Sequence, residues 1–312
     1  MKIVFFGSAH FAVPSLEALI KSREDLLCVV TQPDKKKGRH LHLAVTDVKS
    51  TALKAKLKVF QPEEIKSAQS AKFLKSLKAD IFVIVAYGQM LSQEILDIPK
   101  MFSINIHASL LPKYRGAAPI NRAIINGDKT CGVTIMQVAK KMDSGALILQ
   151  KEIPLADEDT AISIEEELRC LGAQLLLEAL RSIKSGNYKL TPQDESKVVM
   201  APKLKKEDGL INWDRPASAI YNQIRGVMPW PGAFTHYKGK LLKVHRVKGV
   251  QQDICFGEHS PGEVVGIYKE GIVVATAKHC LILEELQLEG GRRMSAREFV
   301  LGHKVCVGGR FE

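Results

Sequence analysis

The chain has 312 residues, 46% of them apolar and 25% charged, with 23 Gly, 13 Pro and six Cys. This is the composition of an ordinary globular protein, and it excludes fibrous, low-complexity and disulfide-scaffold classes. The formal charge of +11 is unevenly placed: residues 197–248 carry eleven Lys or Arg against three Asp or Glu, whereas residues 151–196 carry five against ten.

At roughly 100 to 200 residues per domain, the length suggests two domains. Through residues 1–187 short apolar runs alternate with helix-like segments, the rhythm of a Rossmann-like α/β domain with a parallel sheet. Strands are expected at Lys2–Phe6, Leu26–Thr31, Lys58–Phe60, Ile81–Ala86, Phe102–Ile106, Val133–Gln137 and Ala146–Lys151. Helices are expected at Phe11–Lys21, Val45–Lys56, Ile65–Leu77 and Pro119–Asn126, with residues 33–44 as a loop. Ile81–Ala86 is apolar on both faces and is the expected central strand. Ser163 and Glu166 have capping-box spacing. They precede a helical stripe of Ile164, Leu168, Leu171, Leu175, Leu176, Leu180 and Ile183 that stops at Ser185-Gly186-Asn187. Residues 188–206 are polar, Pro-punctuated and Lys-rich, as a linker is. From 207 to 312, short strands broken by Gly and Pro, with helices at Ala217–Arg225 and Ala296–Leu301, suggest a small β-barrel of the oligonucleotide-binding kind.

No apolar run approaches the roughly 18 residues of a membrane span, so no integral membrane protein is expected, and the cysteine usage implies the cytoplasm. The six cysteines lack CxxC spacing, which fits reduced, buried thiols better than bridges or a zinc site.

Asn105-Ile106-His107 stands where a strand runs into a loop. Alternation along a strand projects Asn105 and His107 to one side. At the carboxyl end of a parallel strand that side is where open α/β sheets bind ligands. An amide donor beside an imidazole suits a carbonyl becoming tetrahedral, with the imidazole moving a proton. The pair alone fits a hydrogen-bonded polar strand end better than a catalytic pair. Met142-Asp143-Ser144-Gly145 offers a carboxylate to orient His107, or is a plain turn. There is no GxGxxG, GxxxxGK[ST], HExxH or GxSxG, so the usual dinucleotide, nucleotide, zinc and serine-nucleophile sites lack their signatures. The basic run Lys35-Lys36-Lys37-Gly38-Arg39 is a polyanion footprint or a solvated face.

The segment Asn105-Ile106-His107-Ala108-Ser109-Leu110-Leu111-Pro112-Lys113-Tyr114-Arg115-Gly116-Ala117-Ala118-Pro119-Ile120 closely resembles the signature of the folate-dependent formyltransferases. Thr31-Gln32-Pro33-Asp34, Val85-Ala86-Tyr87-Gly88, Gly132-Val133-Thr134-Ile135-Met136, Ala201-Pro202-Lys203 with Lys206-Glu207-Asp208, and Pro229-Trp230-Pro231-Gly232 are similar to that family in the same order. The resemblance implies transfer of a formyl group from 10-formyltetrahydrofolate to the amino group of methionyl initiator tRNA, giving N-formylmethionyl-tRNA for translation initiation. It further implies a monomer with no metal and no membrane partner. Asn105 and His107 would polarise the formyl oxygen, and Asp143 would orient His107. Ser109, Leu110, Leu111, Pro112, Tyr87 and Gly88 would line the folate site. Lys35, Lys36, Lys37 and Arg39 of the loop, and Lys203, Lys205 and Lys206 of the linker, would contact tRNA. The parts become a catalytic domain (1–187), a basic linker (188–206) and a tRNA-binding β-barrel (207–312). Two alternatives stay open: formylation of a small amine such as glycinamide ribonucleotide or an amino sugar nucleotide, and a non-catalytic RNA-binding protein. The chain departs from the family at Gly7-Ser8-Ala9, usually Gly-Thr-Pro, and at Gly38-Arg39-His40-Leu41-His42, usually Gly-Arg-Gly-Lys-Lys. It also has Val138-Ala139-Lys140-Lys141-Met142 where an acidic, Gly-containing run is more common.

Overall fold

The computed structural model describes residues 1–37, 42–251 and 259–312. It divides into two compact units. One comprises Met1–Pro119, Thr130–Pro154 and Glu165–Ala201, the other Ile120–Lys129, Leu155–Ile164 and Pro202–Glu312.

The first unit is built on seven strands: β1 (Lys2–Gly7), β2 (Asp25–Val30), β5 (Val59–Phe60), β6 (Ile81–Val85), β7 (Phe102–His107), β9 (Thr130–Gln137) and β10 (Leu147–Pro154). Their order is β10-β9-β7-β6-β1-β2-β5, which puts the apolar run at β6 in the centre as expected. The strands from β5 to β7 in that order run parallel, and β9 and β10 add antiparallel neighbours beyond β7. One face of the sheet packs Val4, Phe6, Cys28, Val30 and Phe82 against Ala71, Leu74 and Ile95. Each Val, Leu, Ile or Phe side chain among them contributes about 1.5–3 kcal/mol on leaving water. Burial on both faces explains why β1 and β6 are continuously apolar rather than alternating.

Helices α1 (Val13–Lys21), α2 (Asp47–Lys54), α3 (Ala68–Ser76) and α4 (Gln93–Leu96) follow the parallel strands, α5 (Pro119–Asn126) precedes β9, and α6 (Ala161–Lys184) follows β10. The expected Ser163–Glu166 capping box is not what starts α6. Thr160 and Ser163 exchange the reciprocal bonds, Ser163 N donating to Thr160 Oγ1 at 3.2 Å and Thr160 N to Ser163 Oγ at 3.0 Å. The helix begins a turn earlier because Thr160 satisfies the orphan donors first, and Glu166 pairs with Arg169 instead.

Residues 33–44, expected as a loop, hold the ends of a short hairpin, β3 (Lys35–Lys37) and β4 (His42–Ala44), with Lys35 opposite Ala44. Arg39 lies outside the described residues. The short β8 (Arg115–Gly116) pairs in parallel with β11 (Met200–Ala201), so the polar stretch expected as linker is part of the first unit as far as Ala201.

In the second unit β12 (Ala233–Tyr237), β13 (Lys240–Gln251), β16 (Cys280–Leu288), β15 (Ile272–Ala275) and β14 (Val264–Ile267) form an antiparallel sheet in that order, with β17 (Met294–Ser295) beside β16. Strand β12 alternates buried and half-buried residues. Its inward side joins Trp213, Val244, Val264 and Leu283 in one core with Ile220 and Ile224 of α7 (Ala217–Gly226) and Phe299 of α8 (Ala296–His303). The Trp213 indole N–H is satisfied by Thr235 Oγ1 at 3.0 Å.

The cysteines need a correction. Cys280 is disulfide-bonded, and of the free thiols Cys28 and Cys131 are buried while Cys170 and Cys306 are exposed. Which cysteines pair depends on how near folding brings their Cα atoms, which spacing along the chain does not show.

Candidate active site

The site is assembled where β7 ends. Asn105 sits opposite Ile84 of β6 and Met136 of β9, and His107 opposite Thr134. With β7 between two partners, its backbone is fixed and both side chains leave from a defined place. Asn105 is half-buried and His107 is 6% exposed. The imidazole is held from two sides: Nε2 lies 2.8 Å from the Tyr114 carbonyl and Nδ1 lies 3.6 Å from Asp143 Oδ2. Both neighbours are acceptors: a proton on Nε2 satisfies the Tyr114 carbonyl, and a proton on Nδ1 is what the Asp143 carboxylate attracts.

Asp143 comes from the connection between β9 and β10. It adopts φ 50°, a left-handed backbone that most side chains disfavour and Asp tolerates better than most. Its Oδ2 also accepts from Gly116 N at 2.9 Å. At Gly145 a Cβ would collide with the Gln137 carbonyl, so only glycine allows the connection to fold this closely. The structure therefore brings His107 and Asp143 together, which chain separation alone left undecided.

The loop after β7 is tied down by side chains from β9 and β10. Thr134 Oγ1 donates to Ser109 O at 2.6 Å and accepts from Leu111 N at 3.2 Å. Gln150 Nε2 donates to Leu111 O at 2.8 Å. Ser109 is buried and donates to Lys113 O at 2.6 Å, so its hydroxyl closes the loop on itself. Leu111 is buried, whereas Leu110 and Pro112 are partly accessible.

Tyr87 and Gly88 stand in the turn after β6. The Tyr87 ring is 2% exposed and packs edge-on against Phe6 in the apolar core. Burial pushes its phenol up to about 12, and the hydroxyl has no hydrogen-bond partner among the described residues. Its backbone carbonyl accepts from Ser8 Oγ at 3.0 Å and from Gln32 Nε2 at 2.7 Å. Gly88 has φ +79° with Gln32 against it, where a side chain would strain both backbone and packing.

Two groups absent from the expected site stand behind it. Arg115 is 1% exposed, and its guanidinium donates to Gln193 Oε1 from Nε at 3.0 Å and Nη2 at 2.8 Å, and to Glu195 Oε1 at 2.6 Å. Gln193 Nε2 donates in turn to the carbonyls of Asp143 and Gly145, both at 2.8 Å. Arg115 lay within the quoted signature, but nothing in Pro192-Gln193-Asp194 distinguishes Gln193 from other polar linker residues.

Among the basic residues expected to meet tRNA, Lys35 is exposed with Nζ donating to Gln32 Oε1 at 2.9 Å. Lys36 and Lys37 continue the backbone of β3. Lys203, Lys205 and Lys206 belong to the second unit and are all exposed. Among the described residues no helix is long and apolar enough to cross a membrane.

The chain is similar to known proteins over nearly all its length. A sequence profile described as formyl transferase matches residues 1–180, and one described as formyl transferase, C-terminal domain, matches residues 203–304. The methionyl-tRNA formyltransferase of Acetivibrio thermocellus is 42% identical over 308 residues, covering 99% of this chain and 98% of that protein. The protein of the same name from Pelotomaculum thermopropionicum is 45% identical over 308 residues, covering 99% and 97%. Among solved structures, WlaRD, a sugar 3N-formyl transferase crystallised with dTDP and 5-N-formyl-THF, aligns with a TM-score of 0.68 at 19% identity, covering 91% of this chain and 97% of that one. HypX from Aquifex aeolicus in complex with tetrahydrofolic acid aligns with a TM-score of 0.62 at 17% identity, covering 96% of this chain and 47% of that one. At such identities these two likenesses speak for the fold alone.

Proposed function

The chain belongs to the formyl transferase family, and from that premise we propose that it transfers the formyl group of 10-formyltetrahydrofolate to the amino group of methionyl initiator tRNA in the cytoplasm. The observation that carries this reading is the full-length likeness to methionyl-tRNA formyltransferases, at 42% and 45% identity in the two relatives named. We assign catalysis to residues 1–187 and tRNA binding to residues 207–312; of the basic stretch 188–206 expected as a linker, the part up to Ala201 packs with the first unit.

The folate supplies an activated formyl carbon. The amine attacks it, the new C–N bond forms as the carbonyl becomes tetrahedral, and the bond to the folate nitrogen then breaks, with one proton lost by the amine and one gained by that nitrogen. Asn105 donates to the formyl oxygen as it gathers charge, an interaction worth about 10²–10³ in rate for a single donor. His107 exchanges the Tyr114 carbonyl for the substrate, polarising the same oxygen and moving the proton. Catalytic hydrogen bonds commonly tighten only when substrate is present. Asp143 orients the ring from its Nδ1 edge. Ser109 to Pro112, with the backbone of Tyr87 and Gly88, line the folate site, and Lys35 to Lys37 with Arg39, Lys203, Lys205 and Lys206 grip tRNA phosphates.

The test is acceptor choice. The protein is incubated with 10-formyltetrahydrofolate and, separately, methionyl initiator tRNA, uncharged tRNA and glycinamide ribonucleotide, and products are weighed by mass spectrometry. Formylmethionyl-tRNA alone is expected. A formylated small amine would keep the catalytic residues but remove the tRNA reading, and no product would leave a binding protein.

A further inference from the structure

We infer that Gln193 is a positioning residue for formyl transfer, holding Asp143 in its left-handed conformation and, through it, the His107 ring. This rests on the role proposed above for Asp143. The left-handed region costs a non-glycine residue up to about 1–2 kcal/mol, less for Asp than for most, so bonds from its surroundings help to hold Asp143 at φ 50°.

Two bonds do this from the backbone side. Gln193 Nε2 donates to the Asp143 carbonyl and to the Gly145 carbonyl, both at 2.8 Å, spanning the strained residue and the turn that follows it. A third bond, from Gly116 N at 2.9 Å, holds the carboxylate itself. The amide of Gln193 cannot rotate to point its oxygen at those carbonyls, because Arg115 donates to that oxygen through both Nε and Nη2. The buried guanidinium therefore sets the sense of the amide, and the amide sets the Asp143 connection. The segment bearing Gln193 is fixed in turn by the pairing of Thr191 with Leu147 and of Met200–Ala201 with Arg115–Gly116. The residues that begin the expected linker thus hold the catalytic carboxylate rather than spanning open solvent.

The experiment uses the full chain and steady-state formylation of methionyl initiator tRNA. Gln193→Ala removes all four bonds, and kcat is expected to fall about 10–100-fold, the scale of an ångström of misplacement. KM for the folate is expected to stay within about twofold, because the folate-lining loop is held separately by Thr134 and Gln150. Gln193→Glu keeps an acceptor for Arg115, so the segment stays anchored, but it turns a donor into an acceptor facing two carbonyls. It is expected to be at least as impaired as Gln193→Ala while melting at or near the wild-type temperature, and it carries the test if Gln193→Ala does not fold. Adding Asp143→Asn to Gln193→Glu is expected to lose little beyond Asp143→Asn alone, the non-additivity of residues acting through one another. Wild-type kcat in Gln193→Glu, or full additivity in the pair, overturns the inference. Wild-type kcat in Asp143→Asn alone instead overturns the role of Asp143, a different failure that the same cycle separates.

Discussion

Around His107, groups from three chain segments converge: the Tyr114 carbonyl at 2.8 Å, the Asp143 carboxylate at 3.6 Å with its Gly116 donor, and Gln193 bonded to the Asp143 backbone behind them. Lys203, Lys205 and Lys206 are the opposite case, exposed ends on flexible stems. The contrast follows from what each must do. Attack on a formyl carbon needs atoms placed to a fraction of an ångström. A phosphate needs only a cation within a Debye length, and a lysine that stays mobile loses less entropy before its ligand arrives.

The sharpest way to break the contrast is His107→Ala. The value of kcat/KM is expected to fall about 10²–10⁴-fold, while the dissociation constant for initiator tRNA measured by filter binding stays put. Equal losses in both would mean that the buried site and the basic surface do not divide the work. The next effect is the reverse experiment. Replacing Lys35, Lys36 and Lys37 by Ala is expected to flatten the logarithmic salt dependence of tRNA binding by about one unit for each phosphate no longer neutralised, with kcat at saturating tRNA unchanged. An unaltered slope would remove this hairpin from the interface.

The two regions also differed in how far the sequence revealed them. The sheet was legible because burial on both faces of β1 and β6 leaves uninterrupted apolar runs, and the antiparallel second unit because Gly and Pro punctuate its apolar runs. Asn105 and His107 were legible as a pair because strand alternation is a local rule. Their relation to Asp143 depended on the β9–β10 connection folding back, and Gln193 gave no sign at all, since its importance lies in two carbonyls some fifty residues away in sequence. The start of α6 was misplaced by a turn for a local reason, two overlapping capping patterns of which Thr160 wins.

A smaller effect separates packing from ligand binding at Tyr87. Its hydroxyl is buried without a partner among the described residues, and an unsatisfied buried hydroxyl costs about 1–3 kcal/mol. Tyr87→Phe is therefore expected to raise the melting temperature by about 2–4 °C per kcal/mol recovered, with KM for the folate unchanged. If the hydroxyl instead meets the folate, KM rises and the melting temperature does not.

The smallest expected effect lies at the outer end of the buried anchor. Glu195 is held down to about 2, from an ordinary 4.5, first by its hydrogen bond from Arg115 and then by Lys141. A carboxylate whose folded value is depressed adds stability above its unfolded value and loses it as pH falls through the folded one. The contribution is thus complete above about pH 4.5 and gone by about pH 2. The side chain is 59% exposed, so solvent and salt screen the pair and the gain is small. Glu195→Gln is expected to melt slightly below wild type at pH 7, with the gap closing between about pH 4.5 and about pH 2 and shrinking in roughly 1 M salt. A gap independent of pH would mean that Glu195 supports the Arg115–Gln193 anchor by shape rather than by charge, and the anchor's rigidity would then come from the Gln193 amide alone.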